Sequence, residues 1–160
     1  MKTQYRIAIG LLLLTLLASV GTYLRWWGLF IPVGPFVVSH WVSIIGGGYL
    51  LVFIPVYVIL KRRMPQYRGT LLKVHVFGNL LAFALIATHF SQHLGRVPLP
   101  ALGTGLAAAI LVVLIIATGF VQRFGLLAKL RPSWRAIHVG LSLLMFAIVI
   151  VHALRNFGLV

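Results

Sequence analysis

Four histidines sit inside apolar stretches of this 160-residue chain: His75 and His89 in KVHVFGNLLAFALIATHFSQH, and His138 and His152 in RAIHVGLSLLMFAIVIVHALR. Each pair is fourteen positions apart. On an α-helix fourteen residues turn through about 1400°, about 40° short of four turns, and climb about 21 Å, so both members of a pair share one face at two depths. An imidazole in hydrocarbon is costly because it must find partners where water is absent, and a neutral imidazole is a common metal ligand. Two such helices side by side offer two imidazoles at each of two levels, room for two flat, axially ligated cofactors. An iron porphyrin at each level suits that spacing. The plainer alternative is that each histidine makes only a helix–helix hydrogen bond. Two equal spacings on parallel helices favour ligation.

The elements that must carry these side chains are membrane spans. Hydrophobic residues make up 61% of the chain, against about half in soluble domains. Five stretches meet the length of about 20 apolar residues that a bilayer requires, at about 7–24, 36–60, 71–92, 101–122 and 134–154. The expected fold is an all-α membrane protein, one transmembrane domain over 1–160, built as a five-transmembrane-helix bundle. Gly28 to Pro35 is composed to turn, Lys61 to Thr70 is aqueous, and Pro55 is placed to kink the second span. The first stretch also has features of a signal peptide; its long apolar run favours a retained span.

The chain has 14 Lys and Arg and no Asp or Glu, for a formal charge of +14. The cations gather at the ends of apolar runs, which points to membrane lipid and topological anchoring and not to nucleic acid. Lacking acids, the chain cannot build carboxylate acid/base pairs, carboxylate metal ligands or carboxylate proton relays. Lacking cysteine, it cannot form disulfides, zinc thiolates, iron–sulfur ligands or thioether haem links. Any haem is held by coordination. With the N-terminus cytoplasmic, eleven cations lie inside and three outside. Spans three and five then run parallel, so His75 shares a level with His138, and His89 with His152. The expected location is a prokaryotic cell (inner) membrane.

Other residues follow from that arrangement. Haem propionates would meet Lys73, Arg131 and Arg135 at the inner level, and Arg96 and Arg155 at the outer. A ligating imidazole donates its second N–H; with no carboxylate in the chain the expected acceptors are backbone carbonyls or hydroxyls, and Asn79 and Ser142, each four residues beyond a histidine, are candidates. Gly105 and Gly119, again fourteen apart, are candidates to face the haem; Gly34 and Gly48 share the spacing. Small residues at helix contacts are the ordinary alternative. His40 and His93 belong near the outer surface, where a quinone pocket or a metal contact is conceivable. Trp26, Trp27, Trp41 and Trp134 suit the interfacial belt.

The paired His-x13-His spacing, with the span-four glycines between, resembles the haem-binding core of respiratory cytochrome b. One extra helix in front, which puts the histidines on spans three and five, is similar to the ferric reductase and NADPH oxidase transmembrane domain. The resemblance covers spans two to five and implies a four-helix di-haem cytochrome b-like core. It has departures: there is no Pro-Glu-Trp-Tyr motif and no Gly-x-Gly-x-x-Gly turn after a strand.

Together these readings predict two haem b groups, His75 with His138 (inner) and His89 with His152 (outer), in a subunit that carries electrons across the bilayer. The donor or acceptor would be a quinone/quinol or a partner redox subunit bearing flavin, iron–sulfur, molybdenum or cytochrome. No catalytic residue is assigned, and an electron-transfer subunit of an oxidoreductase is expected sooner than a complete enzyme. A ferric reductase-like haem protein is the near alternative. From other classes come a histidine-lined divalent-metal transporter, disfavoured by the missing carboxylates and thiolates, and a structural membrane subunit.

Overall fold

The computed structural model of the protein describes residues 2–126, 131–156 and 158–159, with the side chains of 99–101, 131 and 132 left aside. Its helices are α1 (Lys2–Tyr23), α2 (Val38–Arg63), α3 (Arg68–His93), α4 (Leu99–Phe124) and α5 (Arg131–Asn156). All five are long and apolar enough to cross a membrane, as an integral membrane protein requires. Each overruns its apolar stretch at one end or both, because backbone hydrogen bonding continues through cationic ends such as Lys61, Arg62 and Arg63 in the last turn of α2; α2 itself begins two residues later than the 36–60 stretch, since Phe36 and Val37 are extended. Pro55 lies inside α2, which continues past it to Arg63.

Two short features were not foreseen. The 28–35 connection holds a minimal hairpin, β1 (Pro32–Val33) paired antiparallel with β2 (Phe36–Val37). Gly34 turns it at φ +62, a backbone conformation that a side chain disfavours. Trp41 Nε1 donates to the Val33 carbonyl at 2.8 Å, tying this hairpin to the first turn of α2. In α4 the regular helix is interrupted at Gly103 (φ 45, ψ −121).

The chain divides into two compact units, 2–96 and 97–160. In the first, α3 lies against both α1 and α2. Helices α2 and α3 approach closely at Gly46 of α2, where an added Cβ would stand 2.9 Å from the Ala82 carbonyl oxygen and 3.1 Å from Leu85 Cβ. At Gly78 an added Cβ would collide with the Tyr49 ring; the Tyr49 hydroxyl donates to the Val74 carbonyl at 3.2 Å. Leu50, Leu80 and Ala82 are buried. In the second unit α4 packs on α5, with Ala108, Leu111, Val112, Ile115 and Met145 buried.

Candidate functional site

In the 2–96 unit, α3 carries His75 and His89. His89 Nδ1 lies 2.9 Å from the backbone carbonyl oxygen of Ser39, in the first turn of α2. Ser39 is fully buried, so its carbonyl meets the imidazole away from bulk solvent. The His89 ring is also edge-on to His40 and His93, at centroid separations of 5.4 and 4.8 Å, and His40 and His93 are 5.6 Å apart. Among the described residues, however, no three histidines are grouped so that they could hold a metal ion. Phe36 and Phe30 border His40 and His93, which makes this end of the unit an aromatic cluster.

His75 has different company. Its ring stacks on Tyr57 of α2 at 4.4 Å and 12°, the last step of a ladder that starts with Tyr49 on Phe53 and continues with Phe53 on Tyr57. Lys61 Nζ sits 5.0 Å from the Tyr57 centroid. Asn79 Nδ2 is 3.4 Å from His75 Nδ1, and Asn79 Oδ1 is buried with no hydrogen-bond partner among the described residues. A half-turn of that amide exchanges its oxygen and nitrogen; Oδ1 would then face His75 Nδ1 as an acceptor.

In the 97–160 unit the two histidines of α5 meet two matched positions on α4. His138 Nδ1 is 3.1 Å from Thr118 Oγ1, and His152 Nδ1 is 3.1 Å from Thr104 Oγ1. Beside each threonine is a glycine against the ring: an added Cβ at Gly119 would stand 3.0 Å from His138 Cε1, and one at Gly105 would stand 3.1 Å from His152 Cε1. The helices are antiparallel, so the early Thr–Gly pair meets the late histidine. At the end of α5 the Asn156 amide donates to the His152 carbonyl at 2.8 Å and stands 3.1 Å from His152 Nε2. Ser142 donates to the His138 backbone carbonyl at 2.7 Å, a bond within its own helix.

Among the cations expected near the site, Lys73, Arg135 and Arg155 are exposed. Arg96 donates to the Gln92 carbonyl, and its guanidinium lies 5.4 Å from the Phe30 centroid. The side chain of Arg131 lies outside the described residues.

Asn79, Gly105 and Gly119 stand out from the sequence; Thr104, Thr118, the Ser39 carbonyl, Tyr57 and Asn156 do not. A signal for the threonines was present: the dipeptide Thr-Gly occurs twice in the fourth span, fourteen positions apart. A backbone carbonyl fifty positions from its histidine leaves no comparable trace. Compared with protein-family models, curated proteins and solved structures, the chain gives no significant match.

Proposed function

We propose that this integral membrane protein is a di-haem b-type cytochrome subunit that carries electrons across the bilayer. The observation that carries the reading is the contact between His89 Nδ1 and the Ser39 carbonyl at 2.9 Å. A carbonyl only accepts, so Nδ1 must hold the proton, and in a neutral imidazole the lone pair is then on Nε2. That is the form in which a metal-ligating histidine is usually kept, its second nitrogen donating to a carbonyl or similar group. His75, His138 and His152 each have a polar side chain at Nδ1 as well. The donor set therefore suits haem iron: four imidazoles, no thiolate and no carboxylate.

In this reading His75 and His138 hold one haem, and His89 and His152 the other. Haem b supplies a one-electron iron couple when bound. The chain's own residues hold the ligands in register, keep water away from them and tune them through burial and hydrogen bonding. At His152 the Asn156 amide must leave Nε2 for the metal, giving up one hydrogen bond, about 0.5–1.5 kcal/mol; it lies at the exposed end of α5. Lys73, Arg135, Arg96 and Arg155 are the cations that propionates would meet, in a chain with no acid of its own. The N-terminus is cytoplasmic, and the electron donor is a quinol or the redox centre of a partner subunit.

The test is an absorption spectrum of the purified full chain, oxidised and then reduced. Bands of low-spin b haem at two haems per chain are the expected result. A bound transition metal without porphyrin would favour transport, and neither would leave a structural subunit.

A further inference from the structure

The seats that α4 offers to the α5 histidines fix more than position. A threonine hydroxyl has one proton to give. Thr118 Oγ1 is 2.8 Å from the Leu114 carbonyl oxygen and 3.0 Å from that of Ile115, so its proton is committed to its own helix, as is common for threonine in membrane helices. What remains for His138 Nδ1, at 3.1 Å, is an oxygen lone pair. The proton in that contact must come from the imidazole, which also donates to the Ile115 backbone carbonyl beside it. Thr118 is 5% exposed, so water is poorly placed to substitute for it.

The other level repeats the threonine contact. Asn156 Nδ2 donates to the His152 backbone carbonyl at 2.8 Å and has a second N–H. That amide nitrogen stands 3.1 Å from His152 Nε2 and 3.4 Å from His152 Nδ1, so it does not choose between the two ring nitrogens. His152 Nδ1 faces Thr104 Oγ1 at 3.1 Å, the distance at which His138 Nδ1 faces Thr118 Oγ1. Gly105 and Gly119 let the rings come this close, since an added Cβ at either would crowd the ring at 3.1 or 3.0 Å.

From this we infer that Thr118 is a positioning residue that locks His138 in the Nδ1–H tautomer, and that Thr104, by its matched placement against His152, does the same there, so that both present the Nε2 lone pair. The Thr–Gly dipeptide is the unit of the device: the hydroxyl selects the tautomer, and the missing side chain admits the ring. The inference rests on the haem reading for its purpose, but the tautomer is a property of the chain itself.

The experiment uses the full chain, labelled with 15N-histidine and prepared in lipid nanodiscs without haem. His138 and His152 are assigned by their loss in the His138→Gln and His152→Gln variants. For wild type, Nδ1 should give a protonated, pyrrole-type signal and Nε2 an unprotonated, pyridine-type signal at both residues. Thr118→Val, nearly isosteric, leaves the Ile115 carbonyl as acceptor and should weaken the Nδ1–H signature at His138, with some Nε2–H form appearing, while His152 is unchanged; Thr118→Ser should restore it. Thr104→Val, read at His152, is the parallel measurement should Thr118→Val fail to fold. An Nε2–H tautomer in wild type, or unchanged tautomers in the valine variants, would overturn the inference. A chain that shows the locked tautomers yet takes up no haem sinks the haem reading alone.

Discussion

His89 and Ser39 are fifty positions apart in sequence and are joined by a 2.9 Å contact between the imidazole Nδ1 and a backbone carbonyl. The acceptor is main chain, so no side-chain substitution at Ser39 removes it. It is sensitive to how closely α2 approaches α3.

That dependence gives a first prediction at Gly46. An added Cβ there would stand 2.9 Å from the Ala82 carbonyl oxygen, and the backbone cannot swing aside as a flexible side chain would. Gly46→Val should cost about 1–3 kcal/mol as an overpacked contact and loosen His89 from Ser39. Thermal unfolding in detergent should show a lower midpoint, and the haem ligated by His89 should be lost before the other. Wild-type stability and equal retention of both haems would remove the case for this coupling.

Ligand substitutions should sort into two classes. His75→Ala and His138→Ala should each lose the same haem, and His89→Ala and His152→Ala the other. The reduced-minus-oxidised spectrum would halve in every case, but the surviving band should be identical within a class and different between classes. Four indistinguishable spectra, or undiminished haem, would reject the pairing.

Gly119 is more tolerant than Gly46 because the neighbour is an imidazole that can tilt. An added Cβ would be 3.0 Å from His138 Cε1, so Gly119→Ala should retain haem with an altered low-spin signal in paramagnetic resonance. Gly119→Leu fills the seat and should lose that haem. The matched substitutions at Gly105 should act on the haem ligated by His152. Equal haem content and signal in the alanine and leucine variants would show that the ring does not depend on the missing side chain.

Orientation can be read by reporter fusion. With an odd number of spans and eleven of fourteen cations assigned to the cytoplasmic side, a reporter active only outside the cytoplasm should work when joined after Leu159 and fail when joined within 61–68. Replacing Lys61, Arg62 and Arg63 by Gln should weaken this bias by removing charges that resist translocation. The opposite reporter pattern would place the N-terminus outside.

The spans were legible because hydrocarbon demands length and apolarity, and the 61–70 connector was legible from its cations. Lys61 to Thr70 is indeed almost wholly exposed. The hairpin at Pro32–Val37 was not legible, since two residues per strand carry no period-two pattern. Nor was the interruption at Gly103, because glycine within an apolar run equally marks a close helix contact. Of the site, the histidine spacing, Asn79, Gly105 and Gly119 came from the sequence, since residues that share a face of one helix follow from pitch alone. Tyr57 on His75 and Ser39 opposite His89 depend on the register of α2 against α3, which pitch does not determine.

The Ser39 carbonyl belongs to the turn that the hairpin tethers through Trp41. Sliding α2 by one residue would rotate that oxygen by about 100° and translate it by about 1.5 Å, enough to break its contact with the imidazole. One ring nitrogen thus acts as a vernier for the alignment of two long rods. A vibrational or magnetic label on His89 would read out strain imposed at the far side of the hairpin, with no probe attached to the loop itself.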